Sequence, residues 1–144
     1  MATLSEIKKL LEGEALNSEF SAVYKQETFK AHYERYLKVA EDFESLYENA
    51  ADRQVALFSA PGRSEIGGNH TDHNHGLVLA AGISLDAIAV ASKNDEGIVR
   101  VKSAGYPMDT VSCDELEPNE KEYGKSQAII RGIVARFKEL GYNV

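Results

Sequence analysis

The feature that most constrains the fold is a stretch rich in glycine and histidine, residues 59–76, which we call the Gly/His stretch. It holds three of the chain's four histidines and four of its eleven glycines. An apolar, β-prone run precedes it at residues 55–58, and another follows at residues 77–81. Glycines free the backbone where side chains would clash, and connections between strands commonly display functional groups. The sequence therefore predicts two strands joined by a loop that carries a site.

Two amphipathic helices are predicted ahead of this stretch. Residues 4–11 place apolar side chains at helical spacing, and Thr3 with Glu6 forms a capping box in front of them. A second apolar stripe recurs at steps of three and four, which is typical of a helix that faces a core. Its members are Phe29, Tyr33, Tyr36, Leu37, Ala40, Phe43 and Tyr47. We predict that residues 1–50 form a helical N-terminal extension.

The pattern after the Gly/His stretch is mixed. Residues 85–91 and 98–102 are β-rich and flank a polar turn, which predicts a hairpin. A further strand is predicted at residues 108–113, and a helix with one apolar face at residues 124–140. Strand runs followed by a packing helix indicate an α+β fold.

Composition excludes several classes of protein. A net charge of −7 argues against a nucleic-acid partner, because phosphate backbones select for basic surfaces. No run approaches the roughly 18 consecutive apolar residues that would span a bilayer, so we expect no membrane partner. The single cysteine, Cys113, excludes a disulfide framework within the chain. No secretory signal is visible at the N-terminus, and we expect a cytoplasmic protein.

The Gly/His stretch also resembles a known signature. The pattern Ala-Pro-Gly-Arg at residues 60–63 and the pattern Gly-x-His-Thr-Asp-x-Asn-x-Gly at residues 68–76 resemble the galactokinase signature of the GHMP family of small-molecule kinases. A looser resemblance extends from about residue 51 to residue 142. It implies that residues 51–144 form an incomplete GHMP-kinase N-terminal domain, of the ribosomal protein S5 domain 2-like fold, preceded by the extension at residues 1–50.

The resemblance implies an activity and a set of site residues. Galactokinases use ATP and Mg²⁺ to phosphorylate galactose at its anomeric hydroxyl, which gives galactose 1-phosphate. By motif position Arg63 is the predicted catalytic residue, beside the sugar hydroxyl that attacks ATP. Asn69, His70 and Asp72 are the predicted sugar-binding residues, since amides and imidazoles donate and accept while a carboxylate accepts from two hydroxyls. The common galactokinase pattern has glutamate where this chain has Asn69, which leaves the identity of the sugar more open than the reaction class.

Two parts of a galactokinase have no counterpart in the sequence, namely the Gly/Ser-rich phosphate loop and the aspartate that acts as the catalytic base. The nucleotide-binding residues are therefore not assigned, and we expect that this chain by itself does not transfer phosphate. The resemblance implies the first third of a galactokinase, either a truncated gene product or a deliberately shortened chain. We also expect self-association, because an incomplete sheet leaves apolar surface and a strand edge exposed.

Two alternative functions remain open at this point. Without the resemblance, the cluster of His70, Asp72, His73 and His75 suggests zinc or iron ligands and a metal-dependent hydrolase. Alternate residues on one short loop rarely converge on one ion, so no metal site is assigned. The other alternative is a non-catalytic, sugar-sensing protein on a kinase-like fold, which the missing phosphate loop favours.

Overall fold

The computed structural model describes residues 2–68 and 71–144. Of residue 72 it describes the backbone only. Among the described residues, helices and antiparallel strands come in separate runs, with three α-helices before residue 54 and four consecutive strands after them, which confirms the α+β class. The chain folds into two compact units, residues 1–93 and 94–144. The boundary predicted after residue 50 marks where the galactokinase resemblance begins, and it stays a prediction.

The first unit is a three-stranded antiparallel sheet with helices on one face. The strand order is β1-β2-β3, with β1 at Ala2–Thr3, β2 at Gln54–Gly67 and β3 at Leu79–Ser92. The helices are α1 (Leu4–Glu12), α2 (Asn17–Ser21) and α3 (Phe29–Leu46). Short 3-10 helices lie at Gln26–Thr28, Ala50–Asp52 and Thr71–Asn74.

The start of α1 is the predicted capping box. The Thr3 hydroxyl accepts from the backbone N–H of Glu6 at 3.2 Å, and the Glu6 carboxylate accepts from the backbone N–H of Thr3 at 2.8 Å. Two N–H groups that have no partner within the helix are thereby satisfied. The helix ends at Glu12, and the N–H of Gly13 bonds the carbonyl of Lys9 at 3.0 Å.

The stripe predicted on α3 forms the core of this unit. Tyr33, Tyr36 and Ala40 are buried, and the other four members of the stripe pack against them. The rings of Phe20 and Tyr33 lie 4.4 Å apart between their centres, which joins α2 to α3. The Tyr33 hydroxyl accepts from the N–H of Leu16 at 2.7 Å and donates to Asn17 at 3.0 Å. The buried hydroxyl is thus satisfied, as a polar group in a core requires.

The prediction of where β2 ends is wrong. A strand ending near residue 59 was expected, but β2 continues through Pro61 and Arg63 to Gly67. Proline lacks a backbone donor, and it is tolerated in this strand beside an irregularity in the ladder. β3 is likewise one strand where two separate β-rich runs were predicted. The two strands form a long antiparallel ribbon, and the described part of the connecting loop is confined to residues 68 and 71–78.

The β2–β3 ribbon changes register twice. Pro61 pairs with Asp86, but two residues later Arg63 pairs with Gly82, so β3 holds two extra residues at this point. A smaller shift follows between Glu65 and Gly67. Extra residues of this kind bend the strand and redirect the side chains beyond them. The first shift therefore determines the direction of the Arg63 side chain.

The second unit pairs β4 (Ile98–Lys102) with β5 (Met108–Ser112) and adds α4 (Ser126–Glu139). A 3-10 helix lies at Glu120–Glu122. Residues 85–91 and 98–102 were predicted to pair with each other. Among the described residues each run has another partner, since the first lies in β3 and pairs with β2 while the second pairs with β5. The strand and helix predicted at residues 108–113 and 124–140 are confirmed with shifts of one or two residues.

Cys113 is a free cysteine, buried at 3% exposure. Across the described residues, no helix combines the length and the apolar character that a membrane crossing needs.

Candidate sugar site

Arg63 lies on β2, one residue beyond the first register shift of the ribbon, and its side chain is exposed. Arg63 was predicted to lie in a loop, and this prediction is wrong because Arg63 lies in a strand. Its backbone is held by pairing with Gly82, which has no side chain to cover it. A guanidinium presented from a paired strand is better fixed in direction than one on a free loop.

Thr71 ties together the loop between β2 and β3. Its N–H bonds the carbonyl of Gly68 at 2.9 Å, and its carbonyl accepts from the N–H of Gly76 at 2.7 Å. Its hydroxyl donates to the carbonyl of Leu77 at 3.2 Å. These three bonds close the loop around the 3-10 helix at Thr71–Asn74. No role was predicted for Thr71 from the sequence.

The two glycines at the loop's ends cannot carry a side chain without rearrangement. A Cβ on Gly76 would lie 2.5 Å from the Cβ of Thr71, and one on Gly68 would lie 2.6 Å from the carbonyl oxygen of Leu77. Gly68 also has a φ of 105°, which L-residues rarely adopt. The glycine spacing of the Gly/His stretch is therefore what allows the loop to fold tightly against itself.

The predicted sugar-binding residues lie in and beside this loop. Asn69 and His70 fall outside the described residues. The backbone of Asp72 lies in the 3-10 helix at Thr71–Asn74, and its side chain falls outside the description. His73 and His75 are exposed, and His75 has a left-handed backbone with a φ of 59°. The assignment of the three residues to sugar binding stays a prediction.

A buried carboxylate, Asp86, lies on β3, after the connection between β2 and β3 at residues 68–78, which we call the Gly/His loop. The Asp86 side chain is 3% exposed and accepts hydrogen bonds from three side chains. One oxygen accepts from Arg35 at 2.8 Å, and the other accepts from Ser59 at 2.7 Å and from the Tyr24 hydroxyl. Arg35 also donates to the backbone carbonyl of Asp86 at 3.1 Å. We call these four residues the Asp86 cluster.

The pKa values of the cluster follow from its burial and its hydrogen bonds. Burial would raise the pKa of Asp86, but the bonds from Tyr24, Ser59 and Arg35 outweigh it and lower that pKa to about 2. Burial and the neighbouring carboxylate raise the pKa of Tyr24 well above its ordinary value. Burial and the nearby Arg35 lower the pKa of His32, whose ring stacks on Tyr24 at 3.5 Å between centres. At neutral pH the cluster therefore holds an ionised carboxylate bonded to a neutral phenol.

The Asp86 cluster was not predicted from the sequence, although one signal was present. Asp86 is an acid in an otherwise apolar run, and it alternates in phase with Ile88 and Val90, which pack on the core. A strand places alternate residues on the same face. The phase thus indicated a buried carboxylate, which must have partners. Which partners it has depends on contacts with residues 24 and 35, far away in the chain.

Metal ions and ATP make different demands on the described residues. Among them, no group of three or more potential metal ligands lies together, although His70 and the Asp72 side chain of the proposed metal cluster are outside this set. ATP phosphates require free N–H groups at a glycine-rich helix start. Gly124 and Lys125 lead into α4, but Ser126 at its first turn donates to the carboxylate of Asp109. A carboxylate there would repel a phosphate, so this helix start does not fit ATP.

Comparison with known proteins places the match on the ribbon and the Gly/His loop. Residues 41–93 match the family model described as the galactokinase galactose-binding signature. The matched segment begins within α3 and ends one residue beyond β3. It thus contains Arg63, the loop and Asp86. No solved structure matches the chain, so its assignment to the GHMP N-terminal domain fold stays a prediction.

Curated relatives agree with the family model. The chain is 37% identical to a galactokinase of Staphylococcus saprophyticus over 100 residues, 67% of this chain and 25% of the relative. It is 37% identical to a galactokinase of Streptomyces coelicolor over 109 residues, 74% of this chain and 27% of the relative. A galactokinase of Candida parapsilosis is 32% identical over 97 residues. The chain spans about a quarter of the length of the first two relatives. These matches confirm the resemblance to galactokinases, and the chain carries the galactose-binding signature of that family.

Proposed function

We propose that this chain supplies the galactose-binding part of a galactokinase-like sugar kinase. The protein as a whole would use ATP and Mg²⁺ to phosphorylate galactose at the anomeric hydroxyl. The observation that carries the proposal is the match of residues 41–93 to the galactose-binding signature, with Arg63 and Asp72 inside it. The tightly closed loop around Thr71 supports it, because a sugar site must hold its hydrogen-bonding groups in fixed directions.

Each predicted residue has its own role in this proposal. Asp72 accepts hydrogen bonds from ring hydroxyls, and His70 and Asn69 pair with further hydroxyls. Arg63 acts mainly on the attacking oxygen and on the charge that develops during phosphoryl transfer. Its permanent charge and exposed position on β2 support that role. The start of α4 does not fit the ATP phosphates, so the ATP-binding residues are not assigned within the described part of the chain.

Galactose binding to the 144-residue chain is the first test. Isothermal titration with galactose and with its epimer glucose measures affinity and selectivity together. Asp72→Ala should weaken galactose binding about ten- to a hundredfold, because a lost bond to a charged group costs about 1.5–3 kcal/mol. It should also reduce the preference for galactose, since a site built around particular hydroxyls rejects an epimer by leaving its own groups unpaired. Asp95→Ala, in the turn before β4, is the matched control and should change nothing.

Arg63→Ala separates binding from catalysis. It should weaken galactose binding less than Asp72→Ala does, because its charge acts on the transferring group. An ADP-release assay on the unaltered chain should show no turnover above background. Turnover that Arg63→Ala abolishes would contradict the inactivity of the chain alone. Wild-type affinity and selectivity in Asp72→Ala would contradict the sugar-site assignment.

We also propose that the chain self-associates through the uncovered face of the ribbon. Phe58 is 56% exposed, and its partner across the ribbon is the small Ala89. The neighbouring pairs on this face, Ala56 with Ala91 and Ala60 with Ala87, also consist of small apolar residues. Sedimentation velocity should show concentration-dependent association that Phe58→Ser reduces. Val23→Ser, at a site of similar exposure outside the ribbon, is the control and should leave association unchanged.

A further inference from the structure

The Asp86 cluster occupies a decisive position on the ribbon. Asp86 is the cross-strand partner of Pro61, the last pair before the register shift that precedes Arg63. Ser59, two residues before Pro61 on the same face of β2, donates to the same carboxylate. The carboxylate thus fixes both strands at the place where β3 acquires its two extra residues.

The cluster also anchors this place to the helices. Tyr24 follows α2, and Arg35 lies on α3; both donate to Asp86. The Tyr24 hydroxyl lies 3.1 Å from that of Tyr36, whose side chain is in the core. Arg35 contacts both the side chain and the backbone carbonyl of Asp86, which restrains the strand itself. No buried side-chain polar atom of the described residues lacks a hydrogen-bond partner.

The large apolar side chains of the ribbon beyond this place are mostly exposed. Leu79 and Leu85 are 61% and 75% exposed, and Ile66 on β2 is 65% exposed. The part of the ribbon that carries Arg63 therefore projects from the helix-covered sheet. The direction of such a projecting part is set at its base, where the Asp86 cluster lies.

We propose that Asp86 is a positioning residue of the sugar site, which with Tyr24, Arg35 and Ser59 fixes the direction in which the ribbon presents Arg63 and the Gly/His loop. The helical segment before the ribbon then contributes to the site by orienting the ribbon. This inference rests on the proposed function for its consequence in sugar binding. The positioning of Arg63 can be measured without any sugar.

The sugar-free measurement uses the side-chain Nε–Hε signal of Arg63 in ¹⁵N–¹H NMR spectra, assigned by its loss in Arg63→Lys. Asp86→Asn keeps the shape of the side chain and removes its charge. It should shift the Arg63 signal and weaken galactose binding by about tenfold, because small misplacements of a binding group cost one to two orders of magnitude. Asp42→Asn, the same change at an exposed ion pair of α3, should leave both unchanged.

A second control separates positioning from loss of stability. Tyr33→Phe removes two hydrogen bonds from the same core without touching the ribbon. It should lower the melting temperature but leave the Arg63 signal and galactose affinity within twofold of wild type. If Tyr33→Phe changes them as much as Asp86→Asn does, the role of Asp86 is merely structural and the proposal is overturned.

The remaining outcomes are also decisive. An Asp86→Asn protein that is folded, with an unmoved Arg63 signal and wild-type affinity, overturns the proposal. If that variant does not fold, Ser59→Ala removes one donor only and should shift the Arg63 signal with a loss of about threefold in affinity; an unmoved signal overturns the proposal. If the wild-type chain binds no galactose, the proposed function fails, and the Arg63 signal alone decides whether Asp86 positions it.

Discussion

The two ends of the β2–β3 ribbon differ in almost every respect except that they belong to the same strands. At the inner end, from Val55 to Pro61 on β2, one face packs against α1 and α3, and Val55 is buried at 1% exposure. At the outer end, from Arg63 to Gly67, the residues are exposed and the ladder is irregular. The inner end supplies stability, and the outer end carries the signature. Because both ends belong to the same two strands, the packed inner end supports the exposed outer end, which has few contacts of its own.

The largest expected effect is a loss of packing in the core that α1 and α3 form against the inner end. Leu11 is 1% exposed, and Leu11→Ala should lower the free energy of unfolding of the first unit by about 2–5 kcal/mol, through lost burial and the cavity that remains. Leu79→Ala makes the same chemical change at the outer end, where the side chain is 61% exposed, and should cost less than about 0.5 kcal/mol. Urea unfolding followed by circular dichroism measures both. Equal losses would show that the two ends do not differ in their contribution to stability.

The Asp86 cluster predicts that the stability of the folded protein falls at acid pH. The pKa of Asp86 is lowered from 3.8 to about 2 in the folded protein, so its contribution is fully present above about pH 5 and is lost as the pH falls towards 2. That shift corresponds to about 2 kcal/mol at neutral pH. The stability difference between wild type and Asp86→Asn should therefore shrink as the pH is lowered from 5 to 2. A constant difference over this range would mean that the carboxylate is not preferentially stabilised in its ionised form.

A smaller global effect is expected at the outer end. Gly76→Ala places a Cβ where Thr71 already lies, so the loop must open, but few other contacts depend on it. The free energy of unfolding should change by less than about 1 kcal/mol, while the amide of Gly76, bonded to the Thr71 carbonyl, should exchange at least tenfold faster with solvent. Gly82→Ala is the matched control, because a Cβ there meets nothing within 4 Å. Hydrogen-exchange NMR distinguishes local opening from global unfolding, and a large global loss in Gly76→Ala would contradict the contrast between the two ends.

The sequence was sufficient to predict the helices because their signals are local. The capping box of Thr3 and Glu6 and the stripe centred on Tyr33 are read within one or two helical turns, and both are confirmed. The extent of β2 was not predictable in this way. Proline, glycine and polar residues from Pro61 onward resemble a loop, and only the pairing with a distant β3 keeps them in a strand.

The candidate site also has one part that local sequence predicts and another that depends on distant contacts. The signature itself is a local pattern, and the match at residues 41–93 confirms it. The Asp86 cluster joins residues 24, 35, 59 and 86, whose sequence separations reach 62 residues. The polarity of Asp86 in an apolar run indicated that it needed partners, but not which ones. Register shifts, which decide how Arg63 is presented, leave no pattern in the sequence that we can identify.

The smallest expected effect tests whether surface charge contributes to the stability of the inner end. Lys38 and Asp42 form an ion pair at 3.0 Å on the outer surface of α3, with side chains 72% and 53% exposed. Water screens such a pair, and ordering two long side chains offsets much of the attraction, so Lys38→Gln should cost no more than about 0.5 kcal/mol.

Lys8, bonded to Glu44 at 2.6 Å, joins α1 to α3 and is 22% exposed, so Lys8→Gln should cost somewhat more. Because both substitutions remove one positive charge from an ion pair with a carboxylate of α3, their difference isolates the effect of burial. Urea unfolding at 50 mM and 500 mM NaCl measures it: the cost of Lys38→Gln should vanish at the higher salt, and that of Lys8→Gln should persist in part. A loss above 1 kcal/mol for Lys38→Gln would mean that exposed ion pairs, and not the packing of α3 on the sheet, determine the stability of the inner end.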